Sequence, residues 1–225
     1  MFGSYKQKLK TNFTYKLLPY TMGGTKALEN AYDIIFQVEK KNIDGAIVEC
    51  GVAEGGTSAM MAVASRSYGS TIRQKWMFDS FEGLPDPTED DYLNGKAGVF
   101  IRPLPKGSCL GTIEQVRELM IDNLGFAENE IHLVKGWFQD TLPIYKNKIG
   151  KIAVLRLDGD WYESTIIPLK NLFELVVSGG YVIIDDYATC YGSKKALNEF
   201  LEFNGLNVFL NEDGRGGVWF EKKIN

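Results

Sequence analysis

Two apolar runs that each stop in a pair of carboxylates constrain this chain most. Ile152 to Leu157 reads as a buried strand and ends in Asp158-Gly159-Asp160; about 25 residues on, Tyr181-Val182-Ile183-Ile184 ends in Asp185-Asp186. Continuous apolar runs of this length suit strands covered on both faces by helices. In an open parallel sheet the strand carboxyl ends line one edge, and ligands bind in the crevice outside it. If the two strands are neighbours, Asp158, Asp160, Asp185 and Asp186 converge. Like charges that close do not all stay ionised unless protons or a cation compensate them. Oxygen-only donors suit a hard divalent ion such as Mg²⁺. Taken singly, either pair is equally a strand end stopping in solvated turn residues.

The rest of the chain alternates strand and helix. Residues 1–20 mix polar residues with Tyr5, Phe13, Tyr15 and Tyr20 without clear periodicity and read as an irregular arm, for which a dimer partner is one host. After the turn Thr21 to Gly24, helical spacing runs from Lys26 to about Lys41. Ala46 to Gly51 is a short apolar strand, followed by the glycine-rich turn Val52 to Ser58 and a helix from Ala59 to Ser67. Strand, glycine turn and helix make the entry to a nucleotide-type cofactor site, because glycine lets the backbone approach the ligand and the helix N-terminus adds a positive dipole end. Gly51, Gly55 and Gly56 fit neither G-x-G-x-x-G nor a P-loop, which leaves S-adenosylmethionine as the remaining common cofactor. Lys75 to Asp79 is the next strand, and its terminal acid, about 30 residues after the turn, is placed to bond ribose hydroxyls.

Residues 83–108 hold four of the seven prolines and four acids, and a loop of that length beside a site edge is a candidate lid. A helix is expected over Cys109 to Leu124 and a strand over Ile131 to Val134, where His132 reads as an ordinary strand residue. Gly136 to Pro143 opens the next connection, with two readings: Trp137, Phe138 and Gln139 flank a purine, or Asp140 caps a helix and the aromatics join the core. Helices are then expected over Glu163 to Val177, stopped by Ser178-Gly179-Gly180, and over Ser193 to Phe203. Leu206 to Leu210 and Gly217 to Glu221 read as a closing strand pair. The expected architecture is α/β: a doubly wound, mostly parallel sheet with one antiparallel strand and helices on both faces, in one domain over residues 1–225.

Composition narrows the function. A net charge of −4 and a pI near 5.2 oppose general nucleic-acid binding. There is no apolar run of about 18 residues and no signal segment, so no membrane partner and a cytoplasmic location are expected. Cys50, Cys109 and Cys190 are too few and too scattered for a disulfide framework or thiolate metal site, and with His132 the only histidine, acid–base work falls to carboxylates, Tyr or Lys.

Five blocks, Val48 to Gly56, Asp79 to Pro85, Gly136 to Pro143, Leu157 to Thr165 and Gly179 to Tyr187, together resemble the macrocin O-methyltransferase (TylF-like) family, in order along nearly the whole chain. The resemblance implies a Rossmann-like class I methyltransferase fold with seven strands, and an enzyme that methylates a hydroxyl of a sugar or glycosylated natural product using S-adenosylmethionine and Mg²⁺. It implies that Asp158, Asp185 and Asp186 hold the ion beside an acceptor diol, and that Asp160 is the general base. The cofactor is then expected against Thr21, Met22, Glu49, Gly51, Gly55, Gly56, Thr57, Ser58, Asp79, Ser80, Phe81, Gln139 and Asp158, in an enzyme expected to be a homodimer. Three alternatives stay open: a catechol-type O-methyltransferase, a metal-dependent nucleotide-sugar glycosyltransferase, which leaves the glycine turn and Asp79 without a task, and a non-catalytic binding module.

Overall fold

In the computed structural model, which describes residues 2–99 and 104–223, the apolar runs become seven strands of one sheet. β1 (Ala46–Cys50), β2 (Lys75–Asp79), β3 (Ile131–Lys135), β4 (Ile152–Leu157), β5 (Val176–Ile184), β6 (Asn211–Glu212) and β7 (Val218–Glu221) lie in the order β3-β2-β1-β4-β5-β7-β6. All neighbours pair in parallel except β7, which is antiparallel to both β5 and β6. The chain fills the sheet outward from β1 on one side and from β4 on the other. The β1–β4 boundary is therefore the switch point at which a crevice opens.

Period-two alternation divides the strand residues between two helical layers. Ile47, Met77, Val154 and Ile183 pack under α2 (Gly24–Lys40) and α3 (Gly56–Tyr68). Val48, Phe78, Leu155, Val182 and Ile184 pack under α5 (Phe138–Ile149), α6 (Tyr162–Leu172) and α7 (Tyr191–Phe203). By the same parity Glu49, Arg156 and Asp185 share the α3 face, although β1 and β4 are otherwise apolar.

Several boundaries differ from the sequence reading. The expected irregular arm is a helix, α1 (Phe2–Leu17), and its host is this chain's own α2 and α3. Leu9, Phe13 and Leu17, spaced by four, make the contact stripe, too sparse among lysines and tyrosines to register as periodic. The helix expected from Cys109 starts at Ile113, because Thr112 and Gln115 form a capping box there; α4 (Ile113–Arg117) continues as a π-helical stretch, Glu118–Asn123. α6 ends at Leu172, and Ser178-Gly179-Gly180 lies inside β5, where a register shift and the positive φ of Gly179 (81°) mark a bulge rather than a helix stop. Residues 206–210 form no strand; Leu206, Val208 and Leu210 pack onto the α7 layer while Phe209 is exposed, and pairing with β7 is confined to the two residues of β6. α5 begins at Phe138 with no side-chain cap, so Asp140 lies in its first turn instead of capping it.

The described part of the 83–108 loop is fastened to the segments that follow the acidic strands; its residues 100–103 lie outside the described residues. Asp91, fully buried, accepts from Tyr162 N at 2.6 Å and Thr88 N at 2.7 Å. Trp161 Nε1 donates to Pro85 O at 3.1 Å, and Val99 N to Thr189 O at 3.0 Å. No helix among the described residues is long and apolar enough to cross a membrane.

Candidate active site

A cavity of about 440 Å³ opens at the β1–β4 switch point, within the size range of small-molecule and cofactor sites. Its floor depends on Gly51. Asp158 N donates to Cys50 O at 2.8 Å as the paired strands end, and a Cβ on Gly51 (φ 92°) would overlap Asp158 O. Asp79 organises the turn that follows. Its Oδ2 accepts from Val52 N at 2.6 Å and Ala53 N at 2.9 Å, and its Oδ1 from Phe81 N at 2.7 Å. Two of these charge-assisted bonds hold the glycine turn and the third holds the chain just after β2, while Oδ1, with a single donor, keeps a lone pair free.

Of the residues expected at a cofactor, Thr21, Met22, Gly51, Gly56, Thr57, Asp79, Ser80, Gln139 and Asp158 line this cavity, together with Trp137 and Phe138. Glu49, Gly55, Ser58 and Phe81 do not. Glu49 and Ser58 are buried behind it and hydrogen-bonded to each other, Gly55 packs on Val116 as the α3 N-cap, and Phe81 enters the α3-side core.

The four aspartates do converge. Asp158, Asp160, Asp185 and Asp186 all line the cavity, and one carboxylate oxygen from each of Asp158, Asp185 and Asp186 lies within 4.8 Å of the others. The sequence reading did not foresee the cations among them. Arg156, 1% exposed, gives Nη1 to Glu49 and to Asp158 Oδ2 (2.8 Å), and Nη2 to Asp185 Oδ1. Arg215 gives Nη1 to Asp185 Oδ2. It is delivered by a rigid turn in which Asp213 Oδ1 accepts from Arg215 N at 2.7 Å, Gly217 N at 2.9 Å and Gly216 N at 3.0 Å. The available signal was a lone arginine inside a fully buried strand, directly opposite Glu49 on β1. A buried cation requires buried acids.

Glu49, Asp158, Asp160, Asp185 and Asp186 outnumber Arg156 and Arg215, and the imbalance shows in their proton affinities. Burial, then the Asp158 charge, pushes the Asp160 carboxyl up to about 7. Burial, then Asp160 and Asp158, raises Asp186 well above the carboxylate range, and burial raises Asp158 against the pull of Arg156. Burial also lifts Glu49 to about 7 despite Arg156.

The donor set fits a hard divalent ion. Asp186 Oδ1 accepts from Thr189 Oγ1 at 3.0 Å, but its buried Oδ2 has no hydrogen-bond partner. A buried acceptor without a donor is costly, and a cation beside it would remove that cost together with part of the excess negative charge. Asp185, held by two guanidinium groups, still has one lone pair free on each oxygen. Asp160 sits one residue past Gly159 with φ 63°, a left-handed conformation that Asp tolerates better than most residues. Among its neighbours is Cys190 Sγ, which donates to its Oδ1 at 3.5 Å. The three cysteines are free thiols, and His132, stacked on Trp76 at 4.0 Å, is remote from the cavity lining.

The macrocin O-methyltransferase (TylF) family model matches residues 5–222. A demethyldecarbamoylnovobiocin O-methyltransferase of Streptomyces niveus is 36% identical over 201 residues, 89% of this chain and 75% of that protein. An 8-demethyl-8-(2,3-dimethoxy-alpha-L-rhamnosyl)-tetracenomycin-C 4'-O-methyltransferase of Streptomyces olivaceus is also 36% identical, over 208 residues, with the same coverage. The solved structure of the O-methyltransferase NovP superposes with a TM-score of 0.79 at 34% identity, covering 91% of this chain and 83% of that one.

Proposed function

Because the chain belongs to the macrocin O-methyltransferase family and is a methyltransferase of the Rossmann-like class I fold, we propose that it moves the methyl group of S-adenosylmethionine to a sugar hydroxyl of a glycosylated natural product. Mg²⁺ and Asp160 assist the transfer. The observation that carries this reading is that the four aspartates and residues of the glycine turn line one cavity. Support for a sugar acceptor comes from the rhamnosyl named for the S. olivaceus relative.

Gly51, Gly56 and Thr57, which line the cavity, would hold the cofactor, with Asp79 bonding its ribose hydroxyls and Trp137, Phe138 and Gln139 receiving its base. Asp158, Asp185 and Asp186 would hold Mg²⁺, which supplies Lewis acidity that makes a hydroxyl proton easier to remove and a template that orients the acceptor. The acceptor oxygen attacks the methyl carbon as the carbon–sulfur bond breaks. Its proton passes to an Asp160 oxygen, leaving a methyl ether and S-adenosylhomocysteine. Burial raises the proton affinity of Asp160 above that of an ordinary carboxyl, which is the direction a general base needs. Leu84, Pro85, Leu104 and Ile167 supply apolar wall that excludes water from the acceptor side. The expected homodimer belongs to the same proposal and is checked by the mass of the protein in solution.

The test is incubation with S-adenosylmethionine, Mg²⁺ and a panel of glycosides and catechols, read by the mass gain of one methyl group. Methylation of glycosides supports the reading; methylation of catechols alone, or of no hydroxyl compound, rejects it.

A further inference from the structure

We propose that Asp160, Asp186 and Cys190 form a second cation position, for a thiophilic divalent ion of the zinc type, which shares Asp186 with the Mg²⁺ position and takes Asp160 out of proton transfer. One ligand atom from each residue lies within 4.8 Å of the other two. Cys190 Sγ and Asp160 Oδ1 are 3.5 Å apart. A tetrahedral ion with sulfur at about 2.3 Å and oxygen at about 2.0 Å spans an edge of about 3.5 Å. Asp186, the residue that both positions share, is 5% exposed and has a buried oxygen, Oδ2, without a donor. Thr189 Oγ1 holds the other Asp186 oxygen, as outer-shell partners of metal carboxylates do.

The two positions differ in donor chemistry. Asp158, Asp185 and Asp186 offer oxygen only, which suits Mg²⁺, whereas a thiolate selects softer ions. Burial, then the Asp186 and Asp160 charges, raises the Cys190 thiol far above its ordinary range, so it keeps its proton until an ion displaces it. As the sulfur–metal bond forms, the Cys190 thiol releases its proton to solvent, so the site tightens as pH rises. Asp160 and Asp186 line the cavity, which supplies the entry path. Binding stands on geometry alone; its inhibitory consequence rests on the proposed role of Asp160.

Co²⁺ replaces Zn²⁺ as a spectroscopic probe of the full chain. The expected result is a saturable sulfur-to-cobalt charge-transfer band that Zn²⁺ abolishes, that excess Mg²⁺ weakens through the shared Asp186, and that persists in Cys109→Ser but is lost in Cys190→Ser. Asp160→Asn, which leaves the thiol in place, should weaken Co²⁺ binding at least about tenfold, the lower end of what losing even an outer-shell partner costs. Absence of the band in the wild-type protein, its persistence in Cys190→Ser, or indifference to Mg²⁺ in a protein whose methylation requires Mg²⁺ overturns the proposal. Mg²⁺-dependent methylation without a cobalt band rejects this position alone, and a cobalt band without Mg²⁺-dependent methylation rejects the Mg²⁺ reading alone.

Discussion

Glu49 and Arg156 stand opposite each other on β1 and β4, each 1% exposed, and their ion pair lies inside the sheet behind the cavity. The same guanidinium reaches Asp158 and Asp185, so one side chain ties the strand that enters the glycine turn to both acidic strands. Removing one partner from a buried ion pair leaves an uncompensated charge and typically costs about 3–5 kcal/mol. Arg156→Leu should therefore lose about that much stability in urea unfolding. Adding Glu49→Gln to Arg156→Leu should recover part of the loss, because one orphaned charge is then gone.

Asp160→Asn should keep S-adenosylhomocysteine affinity within about twofold, since Asp160 is not among the residues expected at the cofactor, while turnover falls about 10²–10⁴-fold, the range ascribed to a general base. Calorimetric binding and a methyl-transfer assay on the same preparation separate the two effects.

Proton affinity sets a sign for stability against pH. Asp160 and Glu49 bind protons more tightly folded than unfolded, each with a folded value of about 7 against ordinary values of 3.8 and 4.5. Between these limits the folded state holds more protons, so their contribution to stability falls as pH rises from about 4 to about 7 and is lost above that. An ion bound to the neighbouring carboxylates offsets the growing negative charge. The rise in Tm produced by Mg²⁺ should therefore be larger at pH 8 than at pH 5, which thermal unfolding with and without the ion measures directly.

Asp91 couples the proline-rich loop to the chain just beyond Asp160. Asp91→Ala leaves Tyr162 N and Thr88 N without their acceptor, at a cost of about 1–3 kcal/mol for each if it stays buried. Limited proteolysis should then cut within residues 84–99 faster than in the wild-type protein, and turnover should fall more than cofactor affinity.

Much of the sheet was legible because burial on both faces makes β1, β4 and the end of β5 largely apolar runs, and because acid after the carboxyl ends of β4 and β5 marks the crevice edge. The aspartates were legible for that reason. Arg156 was not, because its partners Glu49 and Asp185 lie 107 and 29 residues away in sequence, and periodicity reports faces rather than partners. Arg215 was hidden in a turn whose composition alone suggested a hairpin loop. α1 escaped because only Leu9, Phe13 and Leu17 mark its inner stripe, and β5 was shortened because a glycine pair that usually stops a helix here forms a strand bulge.

The account depends most on the carboxylate cluster working through a divalent ion. Methyl transfer from labelled S-adenosylmethionine to a glycoside acceptor, measured after exhaustive chelation and again after Mg²⁺ is restored, tests this most directly. The predicted result is loss of transfer on chelation and its return with Mg²⁺ in the wild-type protein, but no return in Asp186→Ala. Undiminished transfer by the chelated enzyme would contradict the account.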